Sequence, residues 1–147
     1  MLTQGIVIYP LVLFAFGACV GSFLNVVICR LPQGVSMVYP GSMCPGCGRE
    51  LNVLENVPVI SWLIQRGKCK GCGASIHWRY PGIEFLTGFL WAAVGFIYAD
   101  MPGDAVTRVA TYTALLWFVT WLIPISMIDY DLTIIPDELN FSGVAIS

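Results

Sequence analysis

Charged side chains are what this sequence has least of. Only 11% of its 147 residues are charged, against about 25% in an ordinary soluble domain. With 57% hydrophobic residues and a mean hydropathy of +0.78, the chain reads as an integral membrane protein. Seven Lys and Arg stand against nine Asp and Glu, with a single histidine, too few cations to build a surface for nucleic acid. No charged residue precedes Arg30, so the basic n-region of a cleaved secretory signal is missing, and the apolar stretch is too long for one. Internal repeats and low-complexity tracts are absent too, which argues against a solenoid or a disordered linker.

What is present is a series of long apolar runs. Gly5–Cys29 is uncharged and as a helix would reach about 37 Å, enough to cross a hydrocarbon core of about 30 Å with tilt. A second run begins near Glu84 and ends at Ala99. A third, opened by Arg108, covers Val109–Ile128. A fourth starts at Leu139, and the nine residues from there to Ser147 are too few to span a bilayer. The sequence is therefore expected to end inside an element. Six of the seven basic residues lie between Arg30 and Arg79. Short loops rich in Lys and Arg stay in the cytoplasm, so this segment and Asp129 are expected on the cytoplasmic side, with the N-terminus and the Asp100–Asp104 turn outside. The expected fold is all-α: a polytopic transmembrane helix bundle with a cytoplasmic four-cysteine loop. Its parts are a first transmembrane helix (1–29), a loop domain (30–82) and further transmembrane helices (83–147).

The loop carries the sharpest chemical signal. Residues 44–48 read CPGCG and residues 69–73 read CKGCG, two C-x2-C pairs separated by twenty-one residues. Cys44, Cys47, Cys69 and Cys72 thus have the spacing of a tetrahedral four-thiolate metal site. The two-residue gap lets both sulfurs of a pair reach one ion at about 2.3 Å. Gly48 and Gly73 follow each pair and permit the left-handed turn that aims backbone N–H groups at sulfur. Disulfides or plain buried thiols are the alternative readings, and a reducing cytoplasm disfavours the first. Structural Zn2+ is preferred to iron, since four thiolates leave no open position. His77 is then a surface or interfacial residue, and Cys19 and Cys29 are packing residues of the first span. Trp62, Trp78 and Tyr80 either form an interfacial belt or cover the knuckles. Glu50 and Glu55 read as solvated surface charge.

Four of the nine carboxylates, Asp129, Asp131, Asp137 and Glu138, fall within ten positions at the end of the third run. Asp129 and Asp131 are two apart and point to different sides of a helix. Pro136 interrupts any helix through it, and PDELN has the look of a helix start. Asp129 has two readings that the residues alone leave open: an ordinary interfacial aspartate, or a functional carboxylate kept at membrane depth against the unfavourable end of the helix dipole.

Taken in order, GSFLNVVICRLP (Gly21–Pro32), the paired C-x2-C loop, ENVPVISWL (Glu55–Leu63), RYPGIEFLTG (Arg79–Gly88) and IDYDLTIIPDELN (Ile128–Asn140) resemble the type IV prepilin peptidases. The resemblance covers essentially the whole chain. It implies a multi-pass membrane aspartic endopeptidase of the bacterial inner membrane. Such an enzyme removes the basic leader of type IV prepilins and pseudopilins at the cytoplasmic face, and many members also N-methylate the new terminus with S-adenosylmethionine. It assigns the first catalytic aspartate to Asp129 and the knuckles to Cys44, Cys47, Cys69 and Cys72. The family's second aspartate lies in a later G-x-G-D motif that this sequence lacks, so by this resemblance the chain is expected to be the N-terminal part of a longer protein and inactive alone. No glycine-rich S-adenosylmethionine signature is present, so methylation rests on the resemblance. The competing expectation is a membrane-anchored zinc-knuckle docking protein without catalysis; a four-cysteine iron redox protein is a third. The expected partners are the pilin substrates and the lipid bilayer, and nothing in the sequence sets an oligomeric state.

Overall fold

The computed structural model describes residues 2–99 and 102–132. Among these the fold is helical, with no strand beyond two isolated bridges, Met43 with Glu50 and Lys68 with Ser75. Three long helices carry it. Helix α1 is Leu2–Arg30, α3 is Arg79–Ala99 and α4 is Ala105–Leu132, while the short α2, Ile60–Ile64, belongs to the loop. All three long helices have the length and hydropathy to cross a membrane. Pro10 and Pro124 sit inside α1 and α4 without ending them, as is tolerated where neighbouring helices and local adjustment satisfy the freed carbonyls. Asp137, Glu138, Pro136 and the fourth apolar run lie outside the described residues, as does part of the Asp100–Asp104 turn.

Helix α3 starts five residues before the expected onset at Glu84. Charge hid those residues from a hydropathy reading, and the structure accommodates it: Arg79 grips Asp131 of α4 through two bonds of 2.9 and 2.5 Å. This pair also sets the direction of α4. Its C-terminal end lies beside the start of α3, at the same end of the bundle as the cysteine loop.

Helices α1 and α3 meet through glycine. A Cβ added at Gly17 would lie 2.8 Å from Trp91 Cβ and 2.9 Å from Gly88 Cα, and one at Gly21 would lie 2.8 Å from Glu84 Cα. Gly17 and Gly21 are four apart on one face, the small-xxx-small spacing that lets membrane helices approach closely. Below that crossing the three helices share an apolar core of Leu24, Ile28, Ile83, Ile123 and Ile128. Towards the other end, the Trp91 indole N–H donates to Thr120 Oγ1 at 3.1 Å, and Arg108 donates to the Tyr98 carbonyl at 3.2 Å while its guanidinium covers the Tyr98 ring. Helix α4 is the least enclosed: 17% of its most apolar window is buried, against 39% for α1, so most of its apolar surface is free to face lipid.

Candidate functional site

The four expected cysteines come together. Cys44, Cys47, Cys69 and Cys72 present sulfurs that all lie within 4.8 Å of one another, and none forms a disulfide. The two knuckles are built alike. In the first, Cys44 N–H donates to the Arg49 carbonyl and Gly48 N–H to the Cys44 carbonyl, both at 2.9 Å; in the second, Cys69 N–H donates to Ala74 and Gly73 N–H to Cys69, again at 2.9 Å. Gly48 and Gly73 take the expected left-handed conformation, with φ of 68° and 74°, a region that costs glycine nothing. The N–H groups of Gly46 and Gly71 point at Cys44 Sγ and Cys69 Sγ at 3.4 and 3.3 Å.

The sulfur geometry fits a tetrahedral ion. Metal–sulfur bonds of 2.3 Å place tetrahedral sulfurs about 3.8 Å apart, and Cys44 Sγ and Cys72 Sγ are 3.8 Å apart. Backbone N–H groups of Cys72 and Gly71 pull the Cys69 thiol down to about 6. The Cys72 thiol goes the other way, to about 11: the pull of the Ala74 N–H is outweighed by the neighbouring Cys47 sulfur and by burial. Four thiols this close resist joint ionisation by themselves, and a central dication removes that resistance. His77 is exposed and outside the cluster.

Glu55 corrects the expectation of a solvated charge. It is 5% exposed; Arg49 reaches both its oxygens, at 2.9 and 3.0 Å. Glu55 also completes a capping box with Asn52 at a short 3-10 turn, Val53–Asn56. The Arg49 guanidinium, then the Asn52 N–H, holds the Glu55 carboxyl down at about 2. The Asn-x-x-Glu spacing was a readable capping signal; the partner Arg49 was not. Cys19 and Cys29 are likewise exposed on α1 rather than packed, because the α1 face used in packing is the one carrying Gly17 and Gly21.

The loop is fastened to the ends of the membrane helices. Arg30 donates to three loop carbonyls, those of Ser36, Pro40 and Gly41, at 3.0, 2.8 and 3.0 Å. Where the loop runs into α3, Asn25 Nδ2 of α1 donates to the Tyr80 carbonyl in the first turn of α3 at 3.0 Å. Val59 N–H donates to Glu84 Oε2 at 2.7 Å, which holds a β-branched residue at φ 61°, a conformation such side chains rarely adopt.

Asp129 lies three residues before the end of α4, immediately after Ile128, which is 1% exposed. It is itself exposed, and among the described residues it makes no hydrogen bond or ion pair. Asp131, two residues on, is held by Arg79. Two cavities open at this end of the bundle. One, of about 490 Å³, lies between α1, α3 and α4 and is bordered by Asn25, His77, Arg79 and Asp131. The other, of about 480 Å³, lies between the knuckles and the ends of α1 and α3, and Glu84 borders it.

Known proteins resemble this chain over most of its length. The family described as Bacterial Peptidase A24 N-terminal domain matches residues 15–98, which take in α1 from Ala15, the whole knuckle loop and nearly all of α3. Proteins named "Prepilin leader peptidase/N-methyltransferase" are similar over most of the chain. The one from Myxococcus xanthus is 41% identical over 93% of this chain and 38% of its own length. That from Aeromonas hydrophila is 38% identical over 90% of this chain and 51% of its own length, and that from Bacillus subtilis 35% identical over 87% and 48%. The chain thus spans about two fifths to one half of the relatives it matches. No solved structure matches it.

Proposed function

Because the chain belongs to the bacterial peptidase A24 N-terminal domain family, we propose that it serves a membrane aspartic endopeptidase that removes the leader of type IV prepilins or pseudopilins. We place the reaction at the cytoplasmic face of the bacterial inner membrane. The observation that carries this is the similarity of 87–93% of the chain to proteins named prepilin leader peptidase/N-methyltransferase. The concentration of basic residues in the knuckle loop supports the cytoplasmic assignment, and α4 ends beside that loop.

In the proposed mechanism Asp129 is one of two catalytic carboxyls. Two such groups close together do not both ionise, so one stays protonated. The ionised carboxyl takes a proton from water as it attacks the scissile carbonyl, and the protonated one polarises that carbonyl. The second carboxyl is proposed to come from outside these 147 residues, since they contain no G-x-G-D. Among the described residues nothing occupies Asp129, which leaves its carboxyl free for such a pairing. Zinc held by Cys44, Cys47, Cys69 and Cys72 would be structural, ordering a loop with little core of its own. Methylation of the new terminus would draw its methyl group from S-adenosylmethionine.

The test is a cleavage assay with a prepilin in liposomes, run on this chain and on the protein it belongs to. The whole protein is expected to cleave and this chain alone is not. Asp129→Asn in the whole protein is expected to abolish cleavage while insertion and zinc content stay normal. Wild-type processing by Asp129→Asn removes Asp129 from the mechanism. A whole protein that never cleaves favours the docking alternative.

A further inference from the structure

The short helix α2 turns its most apolar face outward. Leu63 and Ile64 lie three and four residues after Ile60, so the three form one stripe, and they are 60%, 72% and 56% exposed respectively. The opposite side faces the protein. Ser61 and Trp62 border the cavity between the knuckles and the helix ends, and the Trp62 indole N–H donates to the Ile76 carbonyl at 2.9 Å. Single exposed aliphatics are ordinary, but a contiguous apolar patch marks a contact with protein or membrane. The backbone is strained at both ends of this helix. Val59 before it and Arg66 just after it are, among the described residues, the two non-glycine residues with positive φ, at 61° and 52°. Such conformations persist where the surroundings dictate them, and they gather at functional surfaces.

Depth and charge together say what covers the stripe. The Val59 N–H donates to Glu84 Oε2 at 2.7 Å, and Glu84 stands five residues after Arg79, where the membrane-capable α3 begins. At 1.5 Å per residue this is about 7.5 Å down the helix. Amphipathic segments that lie on a bilayer sit about 5–10 Å into the boundary between headgroups and acyl chains, so α2 starts at that depth rather than in the water above it. Between Glu55 and Glu84 the chain carries Arg66, Lys68, Lys70 and Arg79 and no acid. Arg66 and Lys68 follow the stripe and are exposed. Neither takes part in the ion pairs formed among the described residues, Arg49 with Glu55 and Arg79 with Asp131. Apolar side chains beside unpaired cations suit a surface of anionic lipid.

We propose that α2 anchors the loop to the membrane surface. Ile60, Leu63 and Ile64 lie against the acyl chains of the leaflet on the loop side, and Arg66 and Lys68 lie among anionic headgroups. The three long helices cross the bilayer, and α2 lies along it. Its strained ends keep the stripe turned to lipid while Ser61 and Trp62 stay turned to the knuckles.

The experiment puts a diazirine analogue of leucine in place of Leu63, or of Ser61 on the inward side, in the zinc-loaded whole protein. The protein is held in nanodiscs of equal phosphatidylcholine and phosphatidylglycerol and irradiated, and the adducts are identified by mass spectrometry. At 63, where the analogue has nearly the shape of the residue it replaces, it is expected to capture acyl chains. Phosphatidylglycerol should be taken roughly fivefold or more over phosphatidylcholine, since one cation near an anionic surface is worth about that factor. With Arg66→Gln and Lys68→Gln together, acyl chains should still be captured and the preference should disappear. At 61 the label is expected to capture protein. Adducts at 63 with water, with another segment of the whole protein or with a second copy overturn the inference. Equal lipid capture at 61 and 63, capture of the two lipids in their bulk ratio, or a preference that survives loss of both cations does the same. Both leaflets of a nanodisc hold both lipids, so the result depends neither on the proposed cytoplasmic placement nor on leader cleavage.

Discussion

Gly21→Ala is the sharpest test of how the helices meet. The added Cβ would lie 2.8 Å from Glu84 Cα, 2.9 Å from Thr87 Oγ1 and 3.0 Å from the Ile83 carbonyl oxygen. Non-bonded carbon contacts settle at about 3.5–4.0 Å. Two of these three neighbours are backbone atoms and Thr87 is fully buried, its hydroxyl tied to the Ile83 carbonyl, so no side chain can swing aside. Helices α1 and α3 must part by roughly 0.7 Å, and a gap of about 0.5–1 Å forfeits a quarter to a half of each contact along the crossing. Overpacking of this kind costs about 1–3 kcal/mol. Alanine also improves helix propensity over glycine by about 1 kcal/mol, which would mask part of the cost. Gly82→Ala cancels that gain: Gly82 is also helical, in α3, but its added Cβ would meet only Trp78, at 3.4 Å. Reversible unfolding in mixed micelles, followed by tryptophan fluorescence, should put Gly21→Ala about 2 kcal/mol below Gly82→Ala, about thirtyfold in the folding equilibrium. Equal stability within about 0.5 kcal/mol would refute the close crossing.

Two further outcomes follow from the loop. Elemental analysis should find one zinc per chain, lost in Cys44→Ser or Cys69→Ser; a chelator should then expose residues 42–76 to protease, because structural zinc contributes on the order of 10–16 kcal/mol to such knuckles. A metal-free chain with an equally protected loop would refute the site. Acid should act through Glu55, whose carboxyl is held at about 2 against an ordinary 4.5. A depressed acid stabilises the fold fully above its unfolded value and loses that contribution as pH falls through the folded one. The stability difference between wild type and Glu55→Gln, read by loop proteolysis, should therefore be constant above about pH 4.5 and vanish towards pH 2. A difference that does not change with pH would mean the ion pair with Arg49 is not formed in solution.

The apolar runs and the cysteine spacing were legible because each is a one-dimensional signal. Bilayer thickness imposes a length on the spans, and one ion imposes a gap on the sulfurs. What was not legible depends on partners distant in sequence. Arg79 looks like a loop residue until Asp131, fifty-two positions later, is brought beside it. Glu84 looked like the edge of a span because its Val59 partner belongs to the loop. The Gly17–Gly21 pair had a readable spacing, yet the spacing alone does not say which helix comes close; Glu84, Thr87 and Gly88 answer that only in three dimensions.

Those hidden partners share one consequence. The knuckle loop and the membrane helices are joined by polar bonds rather than by a continuous apolar core: Arg30 to the carbonyls of 36–41, and Glu84 to Val59. Bonds of this sort hold direction better than apolar contact, because each has a preferred angle as well as a distance. One set starts from Arg30 of α1 and the other bond ends on Glu84 of α3, the two helices that the glycine crossing presses together. The same crossing carries Glu84 on its far side, so the position of the loop, the shape of the cavity above Glu84 and the approach of α1 to α3 are set by one contact. Arg79 extends the chain of contacts to α4 through Asp131, two residues from Asp129. A change at Gly21 should therefore be felt first at Glu84 and the cavity, and at Asp129 only through Arg79, which makes the cavity the more sensitive reporter of how the helices pack.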